Sequence, residues 1–184
     1  MELPEVISID LETTGFSPVH NQIFVKVQVP RHIQKLTGVS QAEVDAEGVT
    51  LSEACDAFKA WLSDRTSDAI WAGHRFKAFD FPFLLNAYKR CGYPAPVVPL
   101  GGIVDTLDWA TSLGLSKKKL GDVYSLACRK PLQGAHRATT DARAVIDILF
   151  SDWAKLKWWP SAVVSLSALM DANKNKKRKR PCGA

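Results

Sequence analysis

Runs and alternations of apolar residues divide this chain into strands and helices. Residues 4–11, Pro4-Glu5-Val6-Ile7-Ser8-Ile9-Asp10-Leu11, read as a buried strand, followed by a loop over 16–22. Ile23, Val25, Val27 and Val29 then recur at every second position, the period of a half-exposed second strand that Pro30 ends. His32 to Leu36 predicts a short helix stopped at Thr37-Gly38. Thr50-Leu51-Ser52-Glu53 is a capping-box pattern, and Leu51, Ala54, Phe58, Trp61 and Leu62 form an apolar stripe to about residue 63. Ala69 to Gly73 predicts an interior strand, and a helix over 80–90 follows, stopped at Gly92. After the Pro94–Gly102 loop, helices are predicted from Val104-Asp105-Thr106 to about 112, over 118–128, over 138–154 and over 160–172. Ala144, Val145, Ile148, Leu149 and Trp153 face inward on the helix over 138–154. Strands first and helices interleaved afterwards predict an α/β domain with a mixed β-sheet flanked by helices.

Composition narrows the class. A chain of 184 residues suits one domain with a sizeable core, here residues 1–172. Hydrophobic content of 46% and charged content of 23% are ordinary for a soluble protein, and no stretch has the length of a membrane span. The first residues lack the pattern of a signal peptide. Cys55, Cys91, Cys128 and Cys182 are scattered without CxxC spacing, as for unpaired thiols in a reducing compartment.

The net charge of +5 is misleading until it is located. Lys174, Lys176, Lys177, Arg178, Lys179 and Arg180 supply more than all of it. Residues 173–184 are too charged and too poor in apolar side chains to fold, so a disordered basic tail is expected. Such a run reads as a nuclear-import signal, a loose phosphate-binding arm or a solvated tail. It favours the nucleus over the cytoplasm if the source is eukaryotic.

Five side chains stand out as candidate chemistry. Asp10 and Glu12 are spaced i, i+2 at a strand end, so they project together while Ile7, Ile9 and Leu11 point the other way. Two carboxylates leaving a buried strand side by side repel and lose hydration, which a divalent cation would relieve. Asp80 opens a helix, where it reads either as a cap or as a further ligand. Asp141 is in register with the core stripe of its helix and so needs a cation or several donors. His136, five residues earlier, is placed for general-base work on a water. His20 and His32 read as surface or satisfied core histidines, and His74 leans the same way.

Taken together, DxE at a strand end, Gly73-His74-x5-Asp80-x-Pro82-Phe83-Leu84 and His136-x4-Asp141 resemble the DEDDh 3′–5′ exonucleases. These are relatives of the proofreading epsilon subunit and the three-prime repair exonucleases, within the ribonuclease-H-like fold. The resemblance covers about residues 4–154 and includes Pro30-x-x-Ile33-x-x-Leu36-Thr37-Gly38-Val39 and Gly134-Ala135-His136-Arg137-Ala138. It implies that Asp10, Glu12, Asp80 and Asp141 hold two Mg²⁺ or Mn²⁺ ions about 4 Å apart. Hard oxygen donors suit these ions better than zinc. It further implies that His136 deprotonates the attacking water and that a nucleoside 5′-monophosphate leaves a DNA or RNA 3′ end. Leu11, Thr13 and Thr14 would meet the terminal nucleotide, with His74 and Arg75 beside them, and Phe76 or Phe79 would stack a base or pack in the core. Asp105 matches a family position that reads as a helix cap.

Two departures from the family pattern carry consequences. Arg75 stands where many relatives have asparagine, and either binds substrate phosphate or replaces a side chain that orders the site. Only 14 residues, 16–29, separate Gly15 from Pro30, where relatives fit two strands. The antiparallel region is therefore shortened: either a strand is lost and an edge exposed, or Ile23–Val29 runs outside a gap. A catalytically inactive nucleic-acid-binding or scaffold module is the alternative function.

Overall fold

The backbone is seen in a computed structural model that describes residues 5–15, 17, 23, 25–65, 67–96, 101–157 and 159–165. Expectations for residues 166–172, the basic tail, His20, Cys182 and most of the 16–22 loop lie outside them.

Three short strands, β1 (Val6–Ser8), β2 (Ile70–Gly73) and β3 (Ile103–Asp105), pair in parallel in the order β1-β2-β3. Parallel neighbours require crossovers, and helices supply them. Between β1 and β2 lie α1 (Arg31–Thr37), α2 (Gln41–Glu47) and α3 (Leu51–Ser63), and α4 (Asp80–Arg90) links β2 to β3. After β3 come α5 (Thr106–Ser112), α6 (Leu120–Cys128), α7 (Ala138–Phe150), α8 (Asp152–Lys157) and a 3-10 turn at Trp159–Ala162. The pleat sorts the core into two layers. Ile7, Trp71 and Ile103 bury against Cys55 of α3 and Phe81, Leu84, Ala87 and Tyr88 of α4. Ile70, Ala72 and Val104 bury on the opposite face against α5, α6 and α7.

The helix signals explain most boundaries. Thr50 and Glu53 form the predicted capping box, and Gly38, at φ 69°, closes α1. A second box, Ser40 with Glu43, opens α2, which the sequence reading passed over although its S-x-x-E signature is present.

Several expectations are corrected. The described strands form a parallel sheet, and the antiparallel component is confined to single bridges, Thr13 with Ile23 and Ile103 with Val164. No described ladder forms over 25–29, because its backbone bonds elsewhere. The Lys26 N–H donates to the Val49 carbonyl (2.7 Å), and Gln41 takes the Val29 N–H (2.8 Å) and donates to the Val27 carbonyl (3.0 Å). The alternation of valines was real, but Val29 buries against Ile33 and Val44 of α1 and α2 instead of a sheet face. Residues 103–105 are a strand and not a helix start; a fully buried three-residue strand has no alternation to betray it. The helix expected over 138–154 stops at Phe150, where Ser151 turns extended and its hydroxyl accepts the Ala154 N–H (3.1 Å), starting α8. Trp61, expected inward, is 42% exposed, stacked on Phe58 and covered by the Arg65 guanidinium at 4.5 Å.

The choice between the two outcomes for the shortened segment falls on residues 16, 18–22 and 24, which lie outside the described residues. Among the described residues β1 pairs only with β2, and a groove of about 870 Å³ runs beside it between Trp61, Arg65, Lys130 and Arg143. The Ser8 hydroxyl is buried there without a partner.

Gly73 ends β2 with no room for a side chain: a Cβ would lie 2.7 Å from that of Phe76 and 2.9 Å from the Ile9 carbonyl oxygen. Gly73→Ala should therefore lower stability by about 1–3 kcal/mol in urea unfolding. An unchanged midpoint would show that the turn after β2 relaxes freely.

Candidate active site

Because the three strands are parallel, their carboxyl ends lie in a row at one edge of the sheet, the side where α/β folds place their ligands. The chain leaves β1 still tied to β2, with the Ile9 N–H donating to the Ala72 carbonyl (2.9 Å), and then reaches Asp10. The next N–H, that of Leu11, donates to Asp80 Oδ1 (2.9 Å), which fastens the end of β1 to the first residue of α4. Glu12 accepts the Ala138 N–H at the start of α7, with the Arg137 guanidinium nearby. Asp141, in the first turn of α7, accepts the His136 N–H on Oδ2 (3.0 Å). One backbone donor on each of three carboxylates thus draws together segments far apart in sequence.

Their electrostatics show how close this gathering is. Asp80 is 2% exposed and Asp141 8%. Burial, then Asp80 and Asp141, push Asp10 up to about 8. Burial followed by the charges of Asp10 and Asp141 raises Glu12 to about 7 against the opposing pull of Arg137 and the Ala138 N–H. Burial raises Asp80 to about 7, and Asp141 also shifts upward, chiefly from burial. Among the described residues, however, no three His, Cys, Asp or Glu side chains close into a ready-made ion cage. The charges of Asp10, Glu12, Asp80 and Asp141 nonetheless act on one another, which groups them in one region.

The residues present fit hard divalent cations. Asp141 Oδ1 is buried with no hydrogen-bond partner, an acceptor aimed at no donor of the chain. The neighbouring donors are carboxylate oxygens, the chemistry preferred by Mg²⁺ and Mn²⁺. Asp10, Leu11 and Glu12 line a cleft of about 440 Å³ with Ile23, Arg137 and Ala138.

The other expected site residues fall into two groups. Leu11, Thr13 and Thr14 lie on the segment that leaves β1, where Thr13 is buried and its hydroxyl donates to the Gly15 carbonyl (2.8 Å). His136 is exposed at φ 68°, and its backbone N–H is fixed to Asp141. His74 and Arg75 follow β2. The His74 ring meets the Thr106 hydroxyl at Nδ1 (2.9 Å) and bonds the Lys118 backbone, and burial lowers its pKa. Arg75 is exposed at φ 66°. Phe76 is fully buried in the core, and Phe79 packs on Phe83 at 5.0 Å.

Asp105 is a helix cap, accepting the Leu107 N–H (3.0 Å), and it does more. Its two oxygens also accept the Arg75 N–H (2.9 Å) and the Lys77 N–H (3.0 Å), clamping the turn that leads to Asp80. Arg137 was quoted in the sequence only as part of a motif. In the fold it donates to the Gly38 carbonyl (2.9 Å) and faces Glu43 at 3.8 Å, joining α7 to the α1–α2 unit beside Glu12. A contact across 99 positions leaves no local signal that could have found it.

A family model described as Exonuclease (RNase_T) matches residues 19–149. That span takes in Asp80, His136 and Asp141 and begins after Asp10 and Glu12. Among solved structures, the chain is similar to Escherichia coli exonuclease I in complex with a dT13 oligonucleotide, at 16% identity and a TM-score of 0.65. The match covers 91% of this chain and 42% of that one, and a second structure of exonuclease I gives the same figures. The zinc-bound form of the E. coli enzyme with single-stranded DNA also matches, at 16% identity and a TM-score of 0.63 over 84% of this chain and 42% of that one. The chain therefore spans less than half the length of these proteins, and the likeness is one of fold. A search of curated proteins finds no match.

The raised carboxyl pKa values set a direction for stability. Folded Asp10, Glu12 and Asp80 retain protons that the unfolded chain releases near its ordinary values of 3.8 to 4.5. Their contribution is present below those values and is lost as pH rises toward about 8. Without divalent ions, Tm should fall between pH 5 and pH 8.5, and Mg²⁺ or Mn²⁺ should raise it more at pH 8.5 than at pH 5. A cation effect of equal size at both pH values would contradict the clustering.

Proposed function

The chain belongs to the exonuclease family, and from that premise we propose that it is a metal-dependent 3′–5′ exonuclease releasing nucleoside 5′-monophosphates from single-stranded DNA or RNA. The observation that carries this reading is the set of four partly or fully buried carboxylates drawn to one edge of the sheet, one with an unpartnered oxygen. Asp10, Glu12, Asp80 and Asp141 would hold two Mg²⁺ or Mn²⁺ ions. Bound there, the ions would neutralise charge developing on the attacking and leaving oxygens of the terminal phosphodiester.

The chain's own residues have separable tasks in this reading. Leu11 lines the cleft and, with Thr13 and Thr14 on the same segment, would seat the 3′-terminal nucleotide, while His74 and Arg75 follow the end of β2. Arg137 keeps α7 against α1 and α2, so the Glu12 contact to Ala138 stays in place. His136 would take the proton of the attacking water. Its exposed ring and backbone tie to Asp141 support this role, since a general base must stay near the site yet exchange protons with solvent. Among the described residues no helix is long and apolar enough to cross a membrane, and the basic run Lys174–Arg180 supports action in the nucleus.

Among the described residues β1 has no strand beyond β2, which favours a second reading, a nucleic-acid-binding module that has lost turnover. One assay separates the two. A 5′-labelled single strand incubated with Mg²⁺ should shorten from its 3′ end, and an intact strand would leave only the binding module. Asp10→Asn and Asp141→Asn should each abolish cleavage while retaining strand binding; normal turnover in either would remove that residue from the ligand set. For His136→Ala the expected loss of kcat is about 10²–10⁴-fold, read in the same assay at constant Mg²⁺.

A further inference from the structure

The sheet order extends the row of strand ends beyond the carboxylates. Asp10 and Glu12 follow β1, His74 and Arg75 follow β2, and Asp105 and Thr106 end β3. The loop between α5 and α6 then folds back, and the His74 ring ties it down by joining the Thr106 hydroxyl to the Lys118 backbone. Lys117, Lys118 and Lys119 are thus held near the ends of β2 and β3. Two strand spacings, about 10 Å in the plane of the sheet, separate the end of β1 from that of β3.

These cations are poorly explained by stability. Among the described residues Arg75, Lys117, Lys118 and Lys119 make no ion pair, whereas neighbouring Lys77 is paired with Asp108. Arg75, Lys117 and Lys119 are exposed. The three lysines also precede the N-terminus of α6, where the helix dipole disfavours positive charge. Lys119 occupies the cap position and gives no side-chain cap. An anion at this end would meet the ammonium groups and the first N–H groups of α6, with Asp122 the one acidic side chain in that first turn. Arg75 is held in a left-handed conformation, uncommon for a residue with a side chain, by the bond from its N–H to Asp105.

We infer that Arg75 and Lys117–Lys119 form a phosphate track for the single strand behind its reacting 3′ end, with His74 as the positioning residue that holds the lysine loop in line. This rests on the exonuclease reading for the position of the 3′ end at the carboxylates. The strand would cross the ends of β1, β2 and β3 in that order, its terminal phosphodiester at the acidic end and its next phosphates over the basic end. The acidic and basic halves of the row divide the work. Positive charge follows the backbone of a flexible strand without reading its bases, so the track predicts length dependence with little sequence preference.

The test uses the full chain with Lys117→Gln, Lys118→Gln and Lys119→Gln combined, and checks folding by circular dichroism. Binding of a fluorescein-labelled oligo(dT) is followed by anisotropy with Ca²⁺ from 50 to 300 mM salt. The variant should bind about tenfold or more weakly at low salt, and its slope of log K against log salt should be shallower by about 2, the value for three lost phosphate contacts on a single strand. Equal affinity and equal slope in a folded variant would overturn the track. Hydrolysis of thymidine 5′-(p-nitrophenyl phosphate) with Mn²⁺, a substrate too short to reach the lysines, reports on the carboxylates separately. If the native chain fails to cleave it, the exonuclease reading fails, and the anisotropy result still decides the track. His74→Ala should raise KM for the oligonucleotide relative to KM for the ester; an unchanged ratio would remove the positioning role.

Discussion

Four carboxylates share one edge of a small parallel sheet, and much of the surrounding backbone is arranged around that electrostatic burden. Burying a charge is costly unless donors or counter-ions meet it. Here the Leu11 N–H serves Asp80, the Ala138 N–H serves Glu12 and the His136 N–H serves Asp141. Each bond also splices two distant segments, so the elements that shelter the charges are the ones that bring them together. The compensation is incomplete, which is why Asp10, Glu12 and Asp80 hold their protons to unusually high pH and Asp141 Oδ1 stays unpartnered. An arrangement so unfavourable to the bare protein is coherent in an exonuclease, where positive ions complete it.

Two aspartates that start helices show how similar local sequence serves opposite ends. Asp105 distributes its oxygens over the N–H groups of Leu107, Arg75 and Lys77, and so becomes a clamp. Asp80 takes the Leu11 N–H on one oxygen and faces the charges of Asp105 and Glu12. The first stabilises the turn after β2; the second is presented by that turn. The buried His74 ring continues the same logic, fastening the α5–α6 loop to the end of β3.

The shortened segment between Gly15 and Pro30 bears on the edge of the sheet more than on its carboxyl end. None of the four carboxylates lies in it. They come from the segment after β1 and from the starts of α4 and α7, elements whose buried faces are packed as the two-layer core requires. Beside β1, Ser8 has a buried, unpartnered hydroxyl and a groove runs between α3 and α7.

What the sequence determined by itself was whatever is encoded within a few residues. Capping boxes, the Gly38 stop and the inward stripe of α7 were legible because turns and helix faces are local geometry. Ser40 and Glu43 were equally legible and were overlooked. Tertiary structure alone decided that Val27 and Val29 pack on α1 and α2, that the three residues of β3 extend the sheet and that Arg137 reaches Gly38. Alternation reports only that one side of a segment is buried, never what buries it. The partners of a backbone N–H or a guanidinium, chosen across tens of residues, exist only once the chain has closed on itself.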